Sequence, residues 1–316
     1  MHAAKVRAYA KINLTLEIVG REDGYHRLDS LVASVDVFDV IRLKKRKGEL
    51  SSIWMHGMGS ESIPPEQNNA LKAAELYSKT FGVSGADIEI FKNIPIGAGM
   101  GGSSADIAGV LNGMQKLYKA ATEEELETLA EQLGSDVKFM LKGGYARMQG
   151  RGERLTPLSG IKTPLTFLLL TPSGGVSAGE CYREYDRMKG QDTPSGATQQ
   201  AIAALMGENP NDVGRYLMND LYEPAAKLCE DVKRALEDVK SFSPLGAVMT
   251  GSGSAVLALF ETEELCRWAR SRYRGKCKTR IVKTLDPRQR KPLFSFPFAL
   301  RRDEVERLEA EAEEQG

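Results

Sequence analysis

Only four cysteines occur in the 316 residues (Cys181, Cys229, Cys266 and Cys277), with no CxxC pair, and the three histidines do not cluster. That scarcity argues against a disulfide framework and against a structural zinc site, and it fits a reducing cytoplasm. Neither charge is in excess, with 43 Lys plus Arg against 43 Asp plus Glu. The chain therefore lacks the electrostatic footprint of a nucleic-acid or anionic-membrane binder, although a local basic pocket for a nucleotide remains compatible with it. The basic run Lys44 to Lys47 reads as a solvated strand end. The longest strongly apolar run, Leu165 to Leu170, is far too short to cross a bilayer. The opening Met-His-Ala-Ala-Lys lacks the apolar core of a secretory signal. Internal repeats are also missing.

What is present is ordinary globular material, 41% hydrophobic and 27% charged. The length suggests two domains. Residues 5–19 alternate as a strand, and 31–43 read as one or two more. The stretch 44–66, ending in Pro64-Pro65, predicts turns and exposed hairpins. Helical spacing covers 68–81, a strand follows at 86–91, and a helix covers about 103–118. Thr122 with Glu125 makes a capping box for a helix closed by Gly134. Residues 135–158 read as a hairpin and an exit, which sets the division near residue 160. Beyond it come a buried strand at 165–170, helices near 177–189, 197–206 and 222–240, two strands around 245–260, a helix near 262–273 and a strand near 279–285. Expected units are 1–160, 161–286 and a charged extension, 287–316.

Chemistry concentrates between the strand at 86–91 and the next helix, in Pro95-Ile96-Gly97-Ala98-Gly99-Met100-Gly101-Gly102-Ser103-Ser104-Ala105. Closely spaced glycines let backbone N–H groups face an anion without Cβ obstruction. The helix N-terminus behind them adds its dipole and its unpaired N–H groups. Polyphosphate is the natural occupant, and side chains at Gly99 or Gly101 are expected to fill its space. The bland alternative is a tight connection in which Ser103 and Asp106 form only a capping box. Gly97-x-Gly99-x-x-Gly102 matches the dinucleotide fingerprint literally. However, Pro95 interrupts its entry, and the region about 20 residues on, where that motif has an acidic strand end, reads as helix. No GKS or GKT exists, so a P-loop is excluded.

Three segments in order, Ala10-Lys11-Ile12-Asn13-Leu14, the glycine loop and Met249-Thr250-Gly251-Ser252-Gly253-Ser254-Ala255, resemble the superfamily of galactokinase, homoserine kinase, mevalonate kinase and phosphomevalonate kinase, the GHMP kinases. The resemblance spans about residues 5–285. Gly24-Tyr25-His26, Leu133-Gly134-Ser135-Asp136-Val137 and Gly150-Arg151-Gly152-Glu153 are most similar to the branch that phosphorylates a cytidyl diphosphate sugar alcohol. The resemblance implies a two-domain α+β fold with the site in the interdomain cleft, and ATP with Mg2+ as cofactors. It implies no nucleic-acid or membrane partner, and a monomer or homodimer. Matched position by position, Lys11 and Asp136 are catalytic, Asn68, Lys92 and the loop residues Pro95 to Ala105 bind the nucleotide, and Asn13, Tyr25, His26 and Tyr182 bind the substrate.

Plain readings stand beside these: Lys11 as an exposed sheet lysine, Asp136 as a helix cap and Tyr182 as packing. Departures from the family pattern fall at Tyr9 and Lys138, where prolines are usual, at Ser103 and Ala105 in the loop, and at Ala178-Gly179. The alternatives are a kinase of the same superfamily for another small alcohol, of homoserine or mevalonate type, and a non-catalytic nucleotide-binding paralogue. Retention of Lys11 with Asp136 argues against the paralogue.

Overall fold

The computed structural model describes residues 2–57, 67–161, 163–188, 195–207 and 209–285. The extension 287–316 and the Pro64-Pro65 segment lie outside the described residues.

In chain order the first part comprises β1 (Ala3–Asn13), β2 (Thr15–Glu22), β3 (Tyr25–Lys45), β4 (Ser52–His56), α1 (Asn69–Phe81), β5 (Ala86–Phe91), α2 (Gly102–Tyr118), α3 (Glu123–Leu133), α4 (Val137–Lys142), β6 (Tyr145–Gly150) and β7 (Arg154–Leu158). The second comprises β8 (Thr166–Thr171), α5 (Ala178–Met188), α6 (Ala197–Met206), a 3-10 helix (Pro210–Tyr216), β9 (Met218–Asn219), α7 (Tyr222–Leu228), α8 (Glu230–Lys240), β10 (Gly246–Met249), β11 (Val256–Phe260), α9 (Glu263–Arg272) and β12 (Lys278–Leu285). The expected division falls in the irregular connection between β7 and β8.

β3 is the spine of a largely antiparallel sheet and pairs with β1, β2, β5, β6 and β12. It is one 21-residue strand where the sequence suggested one or two shorter ones. A bulge explains how so long a strand serves so many partners. Tyr9 pairs with Phe38, but Lys11 pairs with Ser34, so β3 carries extra residues at this point. There β12 joins the sheet opposite Ser34 and Val35, linking the strands of the two halves. Tyr9, in the first departed position, packs edge-on against Phe38 with ring centroids 5.4 Å apart.

Period-two alternation in β1 sends Ala4, Val6, Ala8 and Ala10 into the core. Above that face lies α2, which buries Ile107, Val110, Leu111 and Met114. Each contributes about 1.5–3 kcal/mol when fully buried. Gly109 and Gly113 let the helix lie close to the sheet, because a Cβ on them would come within 2.4 Å of Ile41 and 2.1 Å of Leu43. A second cluster gathers Leu168, Leu170, Tyr185, Val232, Leu236, Met249 and Val256 under α5 and α8.

Three expectations change. The helix expected at 222–240 is two helices, because Cys229 is extended (φ −142°, ψ 101°). The stretch 135–158 contains α4 before its hairpin, a helix of six residues that shows too little periodicity to read. Within 44–66, β4 is no hairpin arm but runs parallel to β5. The capping box at Thr122 and Glu125 is present as expected.

Candidate active site

Lys11 and Asn13 are two residues apart on β1, so they share the face opposite Ala10 and Ile12. Lys11 is buried rather than an exposed sheet lysine. Its Nζ donates to Asn13 Oδ1 at 2.6 Å and lies 3.4 Å from Asp136 Oδ2. The Asn13 amide is fixed in turn, with Nδ2 donating to Ser30 Oγ and the backbone N–H to Thr250 Oγ1, both at 2.8 Å. Asp136 stands at the start of α4, but its side chain makes no capping hydrogen bond. The plain reading of a helix cap therefore fails, and the carboxylate faces Lys11. Lys138, where the family pattern has proline, reaches Glu131 at 2.6 Å and Glu127 at 3.3 Å, and Lys142 reaches the same Glu127 at 2.5 Å. This network ties α4 to α3.

The glycine loop sits directly beside this cluster, with the Lys11 N–H donating to Met100 O at 3.1 Å. Gly97, Gly99 and Gly101 all have positive φ (68°, 74° and 70°), the left-handed conformation that glycine adopts without penalty. Ser103 and Ser104 open α2, and neither hydroxyl is hydrogen-bonded among the described residues. Side chains on Gly99 or Gly101 would also meet the protein itself. A Cβ on Gly99 would lie 2.2 Å from the Thr250 carbonyl oxygen, and one on Gly251 would lie 2.6 Å from Gly99 O. On Gly101 it would meet Met140 Cε at 2.4 Å and Lys11 Cγ at 3.2 Å. Gly99 is thus required by the backbone of the 250–255 loop, whereas at Gly101 the nearest atom is the movable end of Met140 and the positive φ is the stronger constraint. The N–H groups of Ser254 and Ala255 donate to Gly97 O and Ala98 O, each at 3.2 Å, so the two glycine motifs clasp each other. Asn219 anchors the second motif through Nδ2 to Met249 O (2.7 Å) and Gly251 O (2.8 Å). Sequence reasoning missed Asn219, because an isolated Asn between helices carries no spacing signal.

Lys92 lies behind the loop in a buried cluster. Its Nζ donates to Asp39 Oδ2 at 2.5 Å and to Asp106 Oδ2 at 2.6 Å. Asp39 Oδ1 accepts the N–H groups of Asn93 (2.5 Å) and Ile94 (2.8 Å), which pins the entry to the loop. Burial would lower the Lys92 ammonium, but the charges of Asp106 and Asp39 outweigh it and raise its pKa. Burial pushes Asp106 up to about 8 despite Lys92, and its Oδ1 is buried without a partner among the described residues. Asn68 caps α1, accepting the Ala70 N–H at 2.9 Å, while its Nδ2 touches Met55 Sδ. The polar groups of both predicted nucleotide-binding residues thus have partners within the protein, Lys92 in its acidic cluster and Asn68 at the start of α1.

At the other end of the sheet Tyr25 is exposed, with the Arg151 guanidinium 4.3 Å from its ring centroid. His26 stacks on Tyr182 (centroids 4.9 Å apart, interplanar angle 26°). Burial, with a smaller contribution from the charge of Asp136, raises the Tyr182 phenol. His26 covers one face of Tyr182, and a stacked base would need the opposite face. Asp186 contacts His26, a partner that i,i+4 spacing from Tyr182 on one helix makes legible in retrospect.

A glycine loop clasped to a second glycine motif, beside a Lys–Asn–Asp cluster, defines a small-molecule kinase of the GHMP type. The GHMP kinases N terminal domain matches residues 68–146 and the GHMP kinases C terminal model matches 200–271. A 4-diphosphocytidyl-2-C-methyl-D-erythritol kinase of Clostridium beijerinckii is 36% identical over 81% of this chain and 91% of its own. One of Desulfitobacterium hafniense is 40% identical over 81% and 87%. A solved 4-(cytidine 5'-diphospho)-2C-methyl-D-erythritol kinase superposes with TM-score 0.70 and 32% identity over 89% of this chain and 99% of that one. A homoserine kinase from Cytophaga hutchinsonii also reaches 0.70, over 90% and 95% of the two chains, but at 17% identity it shows the fold alone. The chain belongs to the 4-diphosphocytidyl-2-C-methyl-D-erythritol kinase family within the GHMP kinases.

Proposed function

We propose that this chain transfers the γ-phosphoryl group of ATP to the 2-hydroxyl of 4-diphosphocytidyl-2-C-methyl-D-erythritol, a step of the non-mevalonate route to isoprenoid precursors. The carrying observation is the buried Lys11–Asn13–Asp136 cluster set against the glycine loop. Phosphoryl transfer asks a protein mainly for position and charge, with little covalent chemistry of its own. Asp136, uncommitted as a helix cap, accepts or orients the proton of the attacking hydroxyl. Lys11, held by Asn13, offsets the charge that develops on the moving phosphoryl group. The loop N–H groups and the start of α2 receive the phosphates of ATP.

Magnesium needs only one or two protein oxygens when phosphates supply the rest, and the Ser103 and Ser104 hydroxyls fit that requirement. Bound there, the ion would neutralise charge on the β- and γ-phosphates. Tyr25, His26 and Tyr182 form the cytidyl end of the site. This reading treats 1–160 as the half that binds ATP, 161–286 as the half that closes the cleft, and the cytoplasm as the setting. No described helix is long and apolar enough to cross a membrane. The test is a coupled ADP-release assay with a panel of alcohols. Turnover should require the cytidyl diphosphate compound, and efficient use of homoserine or mevalonate would replace this substrate with another of the same superfamily.

A further inference from the structure

Resting on that reading, we propose that Asp186 is a specificity-determining positioning residue. It fixes the tautomer and orientation of His26, so that His26 accepts a hydrogen bond from the amino group of cytosine and disfavours the carbonyl of uracil.

The register of the β2–β3 hairpin sets Arg21 directly opposite His26. Asp186, in the last turn of α5, accepts from both through one oxygen, with Arg21 Nη2 at 2.5 Å and His26 Nε2 at 2.6 Å. One turn earlier on the same helix, Tyr182 stacks on the imidazole, and Tyr185 meets it edge-on with centroids 5.7 Å apart. The ring is thereby held by three side chains of α5. A carboxylate in the final turn of a helix opposes the helix dipole, so α5 gains nothing from Asp186 by itself. Arg21 supplies the compensating charge across the gap.

A carboxylate has no proton to give, so the contact at Nε2 makes that nitrogen the donor. In the neutral ring the lone pair then resides on Nδ1, which has no hydrogen-bond partner among the described residues. Cytosine offers an amino donor at the position where uracil offers a carbonyl acceptor. A lone pair facing that carbonyl leaves two acceptors unpaired, and sites built this way discriminate strongly. Without Asp186 the ring is free to change tautomer and to turn, and the distinction fades.

The experiment measures kcat and KM for the cytidine diphosphate substrate, for its uridine diphosphate counterpart and for ATP. Wild type, Asp186→Ala, His26→Ala and the double variant are compared. Asp186→Ala should raise KM for the cytidyl compound about tenfold, the scale of one lost hydrogen bond to a base edge. KM for ATP should stay within about twofold, which also reports an intact fold. The cytidyl-over-uridyl preference should fall by the same factor, and Asp186→Ala should add nothing in the His26→Ala background. Unchanged cytidyl KM, equal losses for both pyrimidines, or an additive loss in the double variant would overturn the assignment of Asp186 alone. A wild-type protein unable to use the cytidyl compound would instead overturn the functional reading and this inference with it.

Discussion

Gly99→Ala separates two explanations of the glycine loop. The methyl carbon would stand 2.2 Å from Thr250 O and 3.0 Å from Gly253 O, on a backbone with φ +74°. Ordinary carbon–oxygen contacts lie near 3.3 Å, so the two loops must part by about 1 Å. That displacement breaks the bonds from Ser254 N–H to Gly97 O and from Ala255 N–H to Ala98 O, both 3.2 Å long. Each is worth about 1 kcal/mol, and the left-handed conformation costs a non-glycine residue roughly 1–2 kcal/mol more. The sum, about 3–4 kcal/mol, corresponds to a fall in Tm of roughly 5 °C for a chain of this size. Differential scanning calorimetry, with ATP titration below the transition, reads both quantities. A marked loss of stability together with weaker ATP binding is expected. If ATP binding disappears while Tm is unchanged, the methyl only occupies phosphate space and the clasp between the two motifs is irrelevant.

Asp136→Ala should lower kcat by about 10²–10⁴ while ATP affinity, read by calorimetry, is retained; near-normal turnover removes Asp136 from the chemistry. Asp106, pushed up to about 8 by burial against an ordinary 3.8, keeps in the folded state a proton that the unfolded chain releases. Wild-type stability is therefore undiminished by this group below about pH 4 and declines as pH rises toward 8, by at most about 1.4 kcal/mol per pH unit. Asp106→Asn removes that decline, so its stability relative to wild type in urea should improve steadily from pH 5 to pH 8, and a flat difference contradicts the buried-carboxyl account. Lys138→Pro restores the usual residue in the first turn of α4, where proline is tolerated, and loses only partly exposed ion pairs. It should cost roughly 1 kcal/mol or less with kcat within about twofold, and a collapse of kcat would mean that the α3–α4 network aligns Asp136.

Local chemistry is what the sequence by itself determined. Glycine density between a strand and a helix marks a segment whose backbone can take left-handed conformations, and Gly97, Gly99 and Gly101 do so. The Thr122–Glu125 box and the alternation of β1 are equally local, and both hold in the structure. Lys11, Asn13 and Asp136 were legible through the resemblance of their motifs, but their contact spans more than 120 residues and nothing in spacing predicts it. The long course of β3 was hidden because its bulge interrupts the register that defines a strand. Asn219 and Asp186 act on residues 30 and 160 positions away, so only the folded chain reveals them. Tertiary structure also gave Gly99 a second constraint. Its hydrogen in place of a side chain reads in sequence as room for phosphate. The fold places the Thr250 carbonyl where a Cβ would stand, because the backbone of the second motif must approach closely enough to hydrogen-bond the first.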